Sequence, residues 1–217
     1  MVIGVPAQSP RVSVVLPVYN GGAHLHASIE SVLRQTMTEL ELVVVDDGST
    51  DNTLEIATSF ADPRISVIAL ESNVGLAEAL NRGIDQAKAG LIARQDSDDV
   101  SLPDRLSRQL ELFTREDSMV LAGTWASITR SLPGGNQQVV GQHRHPTTDA
   151  ELRFRLLWNN PFVHSSVVFR RDAFEAAGGY GTDPATSWPE DYDLWSPLMD
   201  FGTLANLPEV LVEYRQS

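Results

Sequence analysis

The sequence predicts an α/β fold with a mostly parallel central sheet flanked by helices and a more variable C-terminal half. Two observations support this prediction. Short runs rich in Val, Ile and Leu alternate with stretches whose apolar residues recur at helical spacing through the first hundred residues. Acidic and amide residues directly follow several of the apolar runs, as is typical of strands that end at a binding edge.

The first hundred residues predict four strands separated by three helices. Val12–Val18 is a β-branched run that ends at the turn-forming residues Asn20-Gly21-Gly22. The next stretch places Leu25, Ile29 and Val32 on one helical face. The predicted elements in order are a strand at Val12–Val18, a helix at His24–Gln35, a strand at Leu40–Val45, a helix capped by Asp51–Thr53, a strand at Ile65–Leu70, a helix at Leu76–Ala89 and a strand at Leu91–Arg94. This alternation gives parallel strands with right-handed crossovers, whose carboxyl ends share one edge of the sheet.

The alternation is less regular after Leu102. The predicted elements are a helix at Pro103–Glu116, a strand at Met119–Gly123, a hairpin over Thr124–Val140 that turns at Pro133-Gly134-Gly135, a helix at Thr148–Trp158, a strand at Ser166–Phe169 and a helix at Glu190–Met199. The sequence contains no internal repeat or linker, so we predict a single domain over residues 1–217.

Composition and charge exclude several classes of function. The chain has 217 residues, 42% of them hydrophobic, and a formal charge of −13, which argues against nucleic-acid binding. The single lysine, Lys88, is followed by Ala89, which excludes a phosphate-binding loop ending in Gly-Lys-Ser/Thr. Without cysteine there is no disulfide or thiolate metal site. We see no signal peptide or transmembrane segment and expect a reducing, cytoplasmic location.

The first acidic cluster follows the second predicted strand. Asp46 and Asp47 come directly after Val43–Val45, and the acidic segment continues to Asp51. Turn and cap preferences account for Thr50 and Asp51 without any ligand. They do not account for two adjacent like charges at a strand end. Because a carboxylate can accept a hydrogen bond from a base N–H, Asp47 is a candidate binding residue.

The second cluster, Asp96-Ser97-Asp98-Asp99, follows the fourth predicted strand. Alternate residues at a strand end point the same way, so Asp96 and Asp98 can share a ligand. A site with oxygen ligands alone suits Mg²⁺ or Mn²⁺, which also bind phosphate oxygens. The alternative is an acidic loop that caps the helix near Pro103.

Two further groups leave alternatives open. Asn73, Gly75 and Asn81 surround a helix start that can face a ribose or diphosphate, although Asn73 can equally be a simple cap. Glu190 and Asp191 suit the first turn of a helix electrostatically. Beside a pocket, one of these two carboxylates would instead be a candidate general base for a hydroxyl nucleophile.

Seven segments occur in an order typical of one enzyme family. They are VVLPVYN at Val14–Asn20, VVVDDGSTDNT at Val43–Thr53, NVGLAEALNRGI at Asn73–Ile84, RQDSDD at Arg94–Asp99, HSSVVFRRDAF at His164–Phe174, GGY at Gly178–Tyr180 and PEDYDLW at Pro189–Trp195. Together they resemble the inverting family 2 glycosyltransferases, which have the Rossmann-like GT-A fold. The resemblance implies a nucleotide-binding half at about residues 11–100 and an acceptor and catalytic half at about residues 101–217.

The resemblance also implies roles for individual residues. The implied nucleotide- and donor-binding residues are Pro17, Val18, Tyr19, Asn20, Asp46, Asp47, Asn73, Gly75, Asn81, Asp96 and Ser97. Asp98 would ligate the metal, and Asp96 would approach the ribose or lie at the metal and its water shell. Asp191 would be the catalytic base, with Glu190 beside it. His164 and Trp195 would contact the acceptor or diphosphate, although a lone histidine is more often a structural residue than a ligand.

The implied activity is metal-dependent, inverting transfer of a sugar from a nucleotide-diphosphate donor, with UDP as the first candidate. The acceptor would be a hydroxyl of a glycan or glycolipid, and the cofactor Mn²⁺ or Mg²⁺. The expected location is the cytoplasm, or the inner face of the membrane through regions outside this chain. Two alternatives are a sugar nucleotidyltransferase and a catalytically silent nucleotide-sugar-binding module. The first usually has a basic loop after its first strand, and Asn20–Ala23 contains no Lys or Arg.

Overall fold

A computed structural model describes residues 9–132, 137–183 and 189–216. Nine strands are present in this part of the chain: β1 (Val12–Val18), β2 (Leu40–Asp46), β3 (Ile65–Ala69), β4 (Leu91–Arg94), β5 (Val100–Ser101), β6 (Met119–Ser131), β7 (Gln137–His143), β8 (Val168–Arg170) and β9 (Thr203–Arg215). The α-helices are α1 (Leu25–Leu33), α2 (Thr53–Ser59), α3 (Leu76–Gln86), α4 (Arg105–Arg115), α5 (Asp149–Leu156), α6 (Arg171–Ala176) and α7 (Glu190–Leu198), and a 3₁₀ turn spans His164–Ser166.

The first four strands form the predicted parallel layer. The strands form one sheet of order β3-β2-β1-β4-β8-β6-β9-β5, with β7 paired to β6. β1 runs parallel to β2 and β4, and β2 runs parallel to β3. Val18 at the end of β1 lies beside Asp46 at the end of β2, and the Asp47 N–H donates to the Val18 carbonyl over 2.8 Å. The predicted α/β class and the shared carboxyl edge are therefore confirmed.

The second half of the sheet is mixed. β8 runs antiparallel to β4 and β6, whereas β6 runs parallel to β9. β6 continues to Ser131 instead of ending at Gly123, and its outer part pairs with β7 as the predicted hairpin. The predicted turn at Pro133–Gly135 lies outside the described residues.

Strand β9 and helix α6 were not predicted from the sequence. Within β9, Pro208 cannot donate to a ladder, and a proline in an apolar run argues against a strand. The register with β6 skips from Leu207 to Val210, so Pro208 lies in a bulge where no ladder hydrogen bond is required. β9 ends at Arg215, whose backbone N–H donates to Asp99 Oδ1 over 2.7 Å. An unpredicted strand thus reaches the second acidic cluster.

Apolar packing joins the two halves of the chain. The largest buried clusters each draw on both halves: one contains Leu16 and Leu106, and another contains Val15 and Trp195. At Gly83 of α3, a Cβ atom would lie 2.5 Å from Val15 Cγ1, so glycine allows the helix to approach the sheet closely. None of the helices in the described ranges is both long enough and apolar enough to cross a membrane.

Candidate active site

Side chains of the first acidic segment, Asp46–Asp51, tie the loops after β1 and β2 together. Asn20 has a φ of 51°, and its N–H donates to Ser49 Oγ over 2.9 Å. Asp51 Oδ1 accepts hydrogen bonds from the Thr53 N–H over 3.0 Å and from the Thr53 hydroxyl over 2.5 Å. The hydroxyl bond is the main reason that the pKa of Asp51 is lowered. Donors that belong to the protein therefore stabilise this carboxylate.

Asp47 links the end of β2 to the start of α3. Its side chain is 3% exposed, and its two oxygens accept the N–H groups of Val74 over 2.7 Å and Gly75 over 3.0 Å. Gly75 has a φ of 91°, a conformation that favours glycine. Because a carboxylate offers about four lone-pair sites, each oxygen retains capacity for one further donor.

Asp96–Asp99 form a turn, here called the acidic turn, and do not continue β4. The Asp99 N–H donates to the Asp96 carbonyl over 3.3 Å. The expectation that Asp96 and Asp98 project alternately from a strand therefore does not hold. The turn still gathers the three side chains closely enough for the charge of Asp96 to raise the pKa values of Asp98 and Asp99.

Two of the three carboxylates of the acidic turn have strong partners. Arg94 Nη1 forms an ion pair with Asp96, and the Ser165 hydroxyl donates to Asp99. Within the described ranges, Asp98 forms no ion pair. Burial, reinforced by the charge of Asp96, raises the pKa of Asp98. The same causes raise the pKa of Asp99 to about 7. The acidic turn therefore carries negative charge that the protein does not fully offset.

Arg94 provides a buried positive charge below these carboxylates. The residue is 1% exposed, and in the described part of the chain its Nε has no hydrogen-bond acceptor. Its charge also opposes the rise that burial causes in the pKa values of Glu190 and Asp191. Arg94 therefore acts electrostatically on both the acidic turn and the start of α7.

Glu190 and Asp191 lie in the first turn of α7, and each is 9% exposed. Asn160 Nδ2 donates to Asp191 Oδ2 over 2.6 Å, and the Tyr192 N–H donates to Oδ1 over 2.7 Å. Burial raises the pKa of both carboxyl groups, while the bonds to Asp191 and the helix N-terminus favour its ionised form. Asp191 is therefore oriented and has a pKa above that of an exposed aspartate.

One segment, residues 160–166, connects α7 to the acidic turn and is here called the bridging segment. At one end, Asn160 binds Asp191, and near the other end Ser165 binds Asp99. These two contacts place the candidate base and the acidic turn on either side of the same short stretch of backbone.

His164 lies in the middle of the bridging segment. Its Nε2 is 2.9 Å from the Tyr180 hydroxyl, and its Nδ1 is 3.8 Å from Glu190 Oε1. Burial, together with the charge of Arg94, lowers the pKa of His164 well below its usual value. The imidazole is therefore neutral near pH 7 and forms no ion pair with Glu190 there.

The other predicted donor residues occupy the same edge with different exposures. Pro17 and Val18 are buried in β1, whereas Tyr19 directly after it is 51% exposed. Ser97 is half-buried, and Asn73 is exposed. Tyr19 and Asn73 therefore have exposed side-chain surface that a ligand could contact, whereas the side chains of Pro17 and Val18 are buried.

Asn81 and Trp195 have structural partners. The Asn81 amide forms two hydrogen bonds with the backbone of Tyr180, over 2.9 Å and 3.1 Å, and so ties α3 to the Gly178–Tyr180 segment. Trp195 is 0% exposed and packs against Phe162 and His164. The predicted contact of Trp195 with the acceptor is therefore corrected, because a fully buried ring has no surface to offer.

Three residues of the site were not singled out by sequence reasoning: Arg94, Asn160 and Ser165. Arg94 and Ser165 lie within quoted motifs, and Asn160 belongs to a polar stretch before β8. A charged residue at the end of an apolar strand was the available signal for Arg94. Asn160 and Ser165 gave none, since their partners are 31 and 66 residues away in sequence.

The residues of the acidic turn fit a divalent cation in part. Its oxygen-only donors suit Mg²⁺ or Mn²⁺, and a cation would relieve the repulsion that raises the pKa of Asp98. In the ranges that the structure describes, no group of three or more His, Cys, Asp or Glu side chains is arranged to hold a metal ion. The protein alone would therefore supply few ligands, with phosphate oxygens and water supplying the others.

Comparison with known families and proteins gives a consistent result. The family model described as Glycosyl transferase family 2 matches residues 13–178. The chain is 34% identical over 209 residues to the amylovoran biosynthesis glycosyltransferase AmsE of Erwinia amylovora, covering 94% of this chain and 75% of the relative. It is 33% identical over 211 residues to the putative glycosyltransferase EpsE of Bacillus subtilis, covering 95% and 73%.

Solved structures share the fold. S. aureus TarS 1–349 in complex with UDP-GlcNAc aligns with a TM-score of 0.76 at 20% identity, covering 95% of this chain and 59% of that chain. The mannosyltransferase PcManGT of Pyrobaculum calidifontis, in complex with GDP-Man and Mn²⁺, aligns with a TM-score of 0.71 at 20% identity, covering 95% and 56%. This chain thus spans less than two thirds of the length of these structures.

Proposed function

Because this chain belongs to glycosyl transferase family 2, we propose that it transfers one sugar from a nucleotide-diphosphate donor to a hydroxyl group of a glycan or glycolipid. The transfer would invert the anomeric configuration. Its relatives carry the name glycosyltransferase, which argues against a nucleotidyltransferase and against a silent binding module. The observation that carries the proposal is an oriented, buried Asp191 joined to the acidic turn by the bridging segment.

The donor would bind along the carboxyl edge of β1, β2 and β4. Asp47 retains lone pairs for a base N–H, and Tyr19 and Asn73 have exposed surface beside it. A UDP-sugar is the first candidate, since TarS, which shares the fold, was solved with UDP-GlcNAc. Helix α3 begins directly after Gly75, and the positive end of its dipole would favour a ribose or diphosphate there.

The diphosphate would lie at the acidic turn through a bound Mn²⁺ or Mg²⁺. Asp98 would be the main protein ligand because its carboxylate has no ion-pair partner in the described ranges, with Asp96 near the cation's water shell. When bound, the cation supplies positive charge that offsets the charge developing on the leaving diphosphate. Ser165 and Arg94 would hold the two neighbouring carboxylates in place.

Proton removal would fall to Asp191. As the acceptor oxygen bonds to the anomeric carbon, its proton passes to Asp191 and the bond from that carbon to the diphosphate oxygen breaks on the opposite face. Burial raises the pKa of Asp191, which brings it closer to the operating pH and makes it a better base. The hydrogen bond from Asn160 would fix the orientation of the Asp191 carboxylate, and Glu190 would lie beside the sugars.

Replacing Asp191 with asparagine tests this assignment. Asp191→Asn keeps the size of the side chain but removes the proton acceptor, so kcat should fall by about 10²–10⁴-fold. UDP affinity, measured by calorimetry, should stay unchanged. Asp193→Asn is the matched control, since Asp193 is exposed in the same first turn. Turnover near the wild-type value in Asp191→Asn would exclude Asp191 as the base.

A further inference from the structure

A single buried side chain holds both ends of the acidic turn. Gln95 lies between β4 and the turn and is 0% exposed. Its amide nitrogen donates to the carbonyl of Asp96 over 3.2 Å and to the carbonyl of Asp99 over 2.9 Å. The Asp96 carbonyl also accepts the Ser28 hydroxyl over 2.7 Å. The first and last carbonyls of the turn therefore share one donor group.

The orientation of the Gln95 side chain is determined by hydrogen bonds from Ser101 and Arg105 to its amide oxygen. Its Oε1 accepts hydrogen bonds from Ser101 Oγ over 2.6 Å and from Arg105 Nη1 over 3.0 Å. Arg105 is 0% exposed, and its Nη2 also donates to the carbonyls of Arg94 over 2.7 Å and Val167 over 3.2 Å. If the amide were flipped, its NH₂ group would face the N–H of Arg105 and the hydroxyl of Ser101, which are both donors in this arrangement. The oxygen therefore faces these donors, and the NH₂ group faces the acidic turn.

We propose that Gln95 is a positioning residue that sets the separation of the Asp96 and Asp98 carboxylates, and thereby the cation-dependent affinity for the donor diphosphate. This inference rests on the proposed function. The Asp98 side chain has no ion pair within the described ranges to hold it, so its placement depends on the backbone of the turn. A misplacement of about 1 Å in such a site can cost on the order of 10²-fold.

Gln109 on α4 offers a matched control. It is also 0% exposed, and its Oε1 accepts from the same arginine, Arg105 Nε, over 3.2 Å. Its amide nitrogen donates to the carbonyls of Ala122 over 2.6 Å and of Ser166, the last residue of the bridging segment, over 2.8 Å. Gln95→Leu and Gln109→Leu therefore remove bonds of the same kind from one buried network, and only the first removes bonds made directly to the acidic turn.

The experiment measures UDP binding by calorimetry in Mn²⁺ and in EDTA, together with Tm, for both variants. Both should lower Tm by similar amounts. Gln95→Leu should weaken Mn²⁺-dependent UDP binding at least about tenfold, while Gln109→Leu should leave it within about twofold of wild type. Equal weakening in the two variants, or none in Gln95→Leu, would overturn the inference.

Two further variants keep the outcomes distinct. If a leucine variant does not fold, Gln95→Glu and Gln109→Glu give the same comparison, because a carboxylate still accepts from Arg105 but cannot donate to the carbonyls. Asp98→Asn tests the proposed cation site itself. Unchanged Mn²⁺-dependent binding in Asp98→Asn rejects that site, and the inference with it. Weakened binding in Asp98→Asn but not in Gln95→Leu rejects only the positioning role.

Discussion

The two acidic segments at the carboxyl edge of the sheet are alike in composition and opposite in electrostatics. In the first, Asp47 and Asp51 accept hydrogen bonds from neighbouring backbone N–H groups, and the pKa of Asp51 is lowered. In the second, burial and mutual repulsion raise the pKa values of Asp98 and Asp99. Carboxylates satisfied by protein donors hold loops in place, whereas carboxylates that repel one another are suited to receive a cation.

Two buried arginines stabilise the closely spaced carboxylates of the second segment. Arg94 and Arg105, 1% and 0% exposed, lie below the acidic turn, and Arg94 pairs with Asp96. Their charges offset part of the repulsion among the carboxylates. Asp98, in contrast to Asp96, has no ion-pair partner in the described ranges.

The largest effect that would test this contrast is the loss of activity in Asp98→Asn. Removal of the main cation ligand should lower kcat/KM by about 10²-fold or more, because a cation supplies several kcal/mol of charge stabilisation. Stability in EDTA should stay equal or rise, since one repelling charge is removed. Steady-state kinetics with Mn²⁺ and urea unfolding check the two parts. Asp51→Asn, in the first segment, should retain activity. An equal loss of activity in Asp51→Asn would show that the two acidic segments do not differ in function as proposed.

Asp47→Asn should lose stability, in contrast to Asp98→Asn. Asparagine has one acceptor oxygen, so one of the partly buried N–H groups of Val74 and Gly75 would lose its partner. Because water can reach these groups in part, the loss should lie near the lower end of the about 1–3 kcal/mol of the free energy of unfolding that a buried unsatisfied donor costs. Urea unfolding at pH 7 measures this loss. If Asp47→Asn were as stable as wild type, the hydrogen bonds from Val74 and Gly75 to Asp47 would not contribute to the free energy of unfolding, and this prediction would be wrong.

The smallest expected effect, taken per pH unit, is a pH dependence of stability due to Asp99. Its folded-state pKa of about 7 exceeds the value of about 3.9 expected in the unfolded chain. The folded state therefore binds more protons between about pH 4 and pH 7, and stability falls as pH rises through this window, by at most about 1.4 kcal/mol per pH unit. Urea unfolding in EDTA should show a flatter profile for Asp99→Asn. Parallel profiles for the two proteins would contradict the raised pKa.

The local pattern of the sequence was sufficient for the first half of the fold. Val12–Val18 and Leu40–Asp46 are apolar, β-branched runs, and their strand assignment depends on nothing distant. β9 was not predicted, and its continuity past Pro208 depends on a bulge in its register with the facing strand β6. The acidic turn was expected as a strand end, since no local signal shows that Asp99 bonds back to Asp96.

The sequence by itself determined the fold class, the shared edge of β1, β2 and β4, and the residue types gathered there, because hydrophobic periodicity and strand order are local properties. Only the tertiary structure decided which carboxylates are satisfied. Asp99 meets Ser165, and Asp191 meets Asn160, across 66 and 31 residues of sequence. A pKa depends on burial and on neighbours in space, so identical aspartates acquire different chemistry only when the chain has folded.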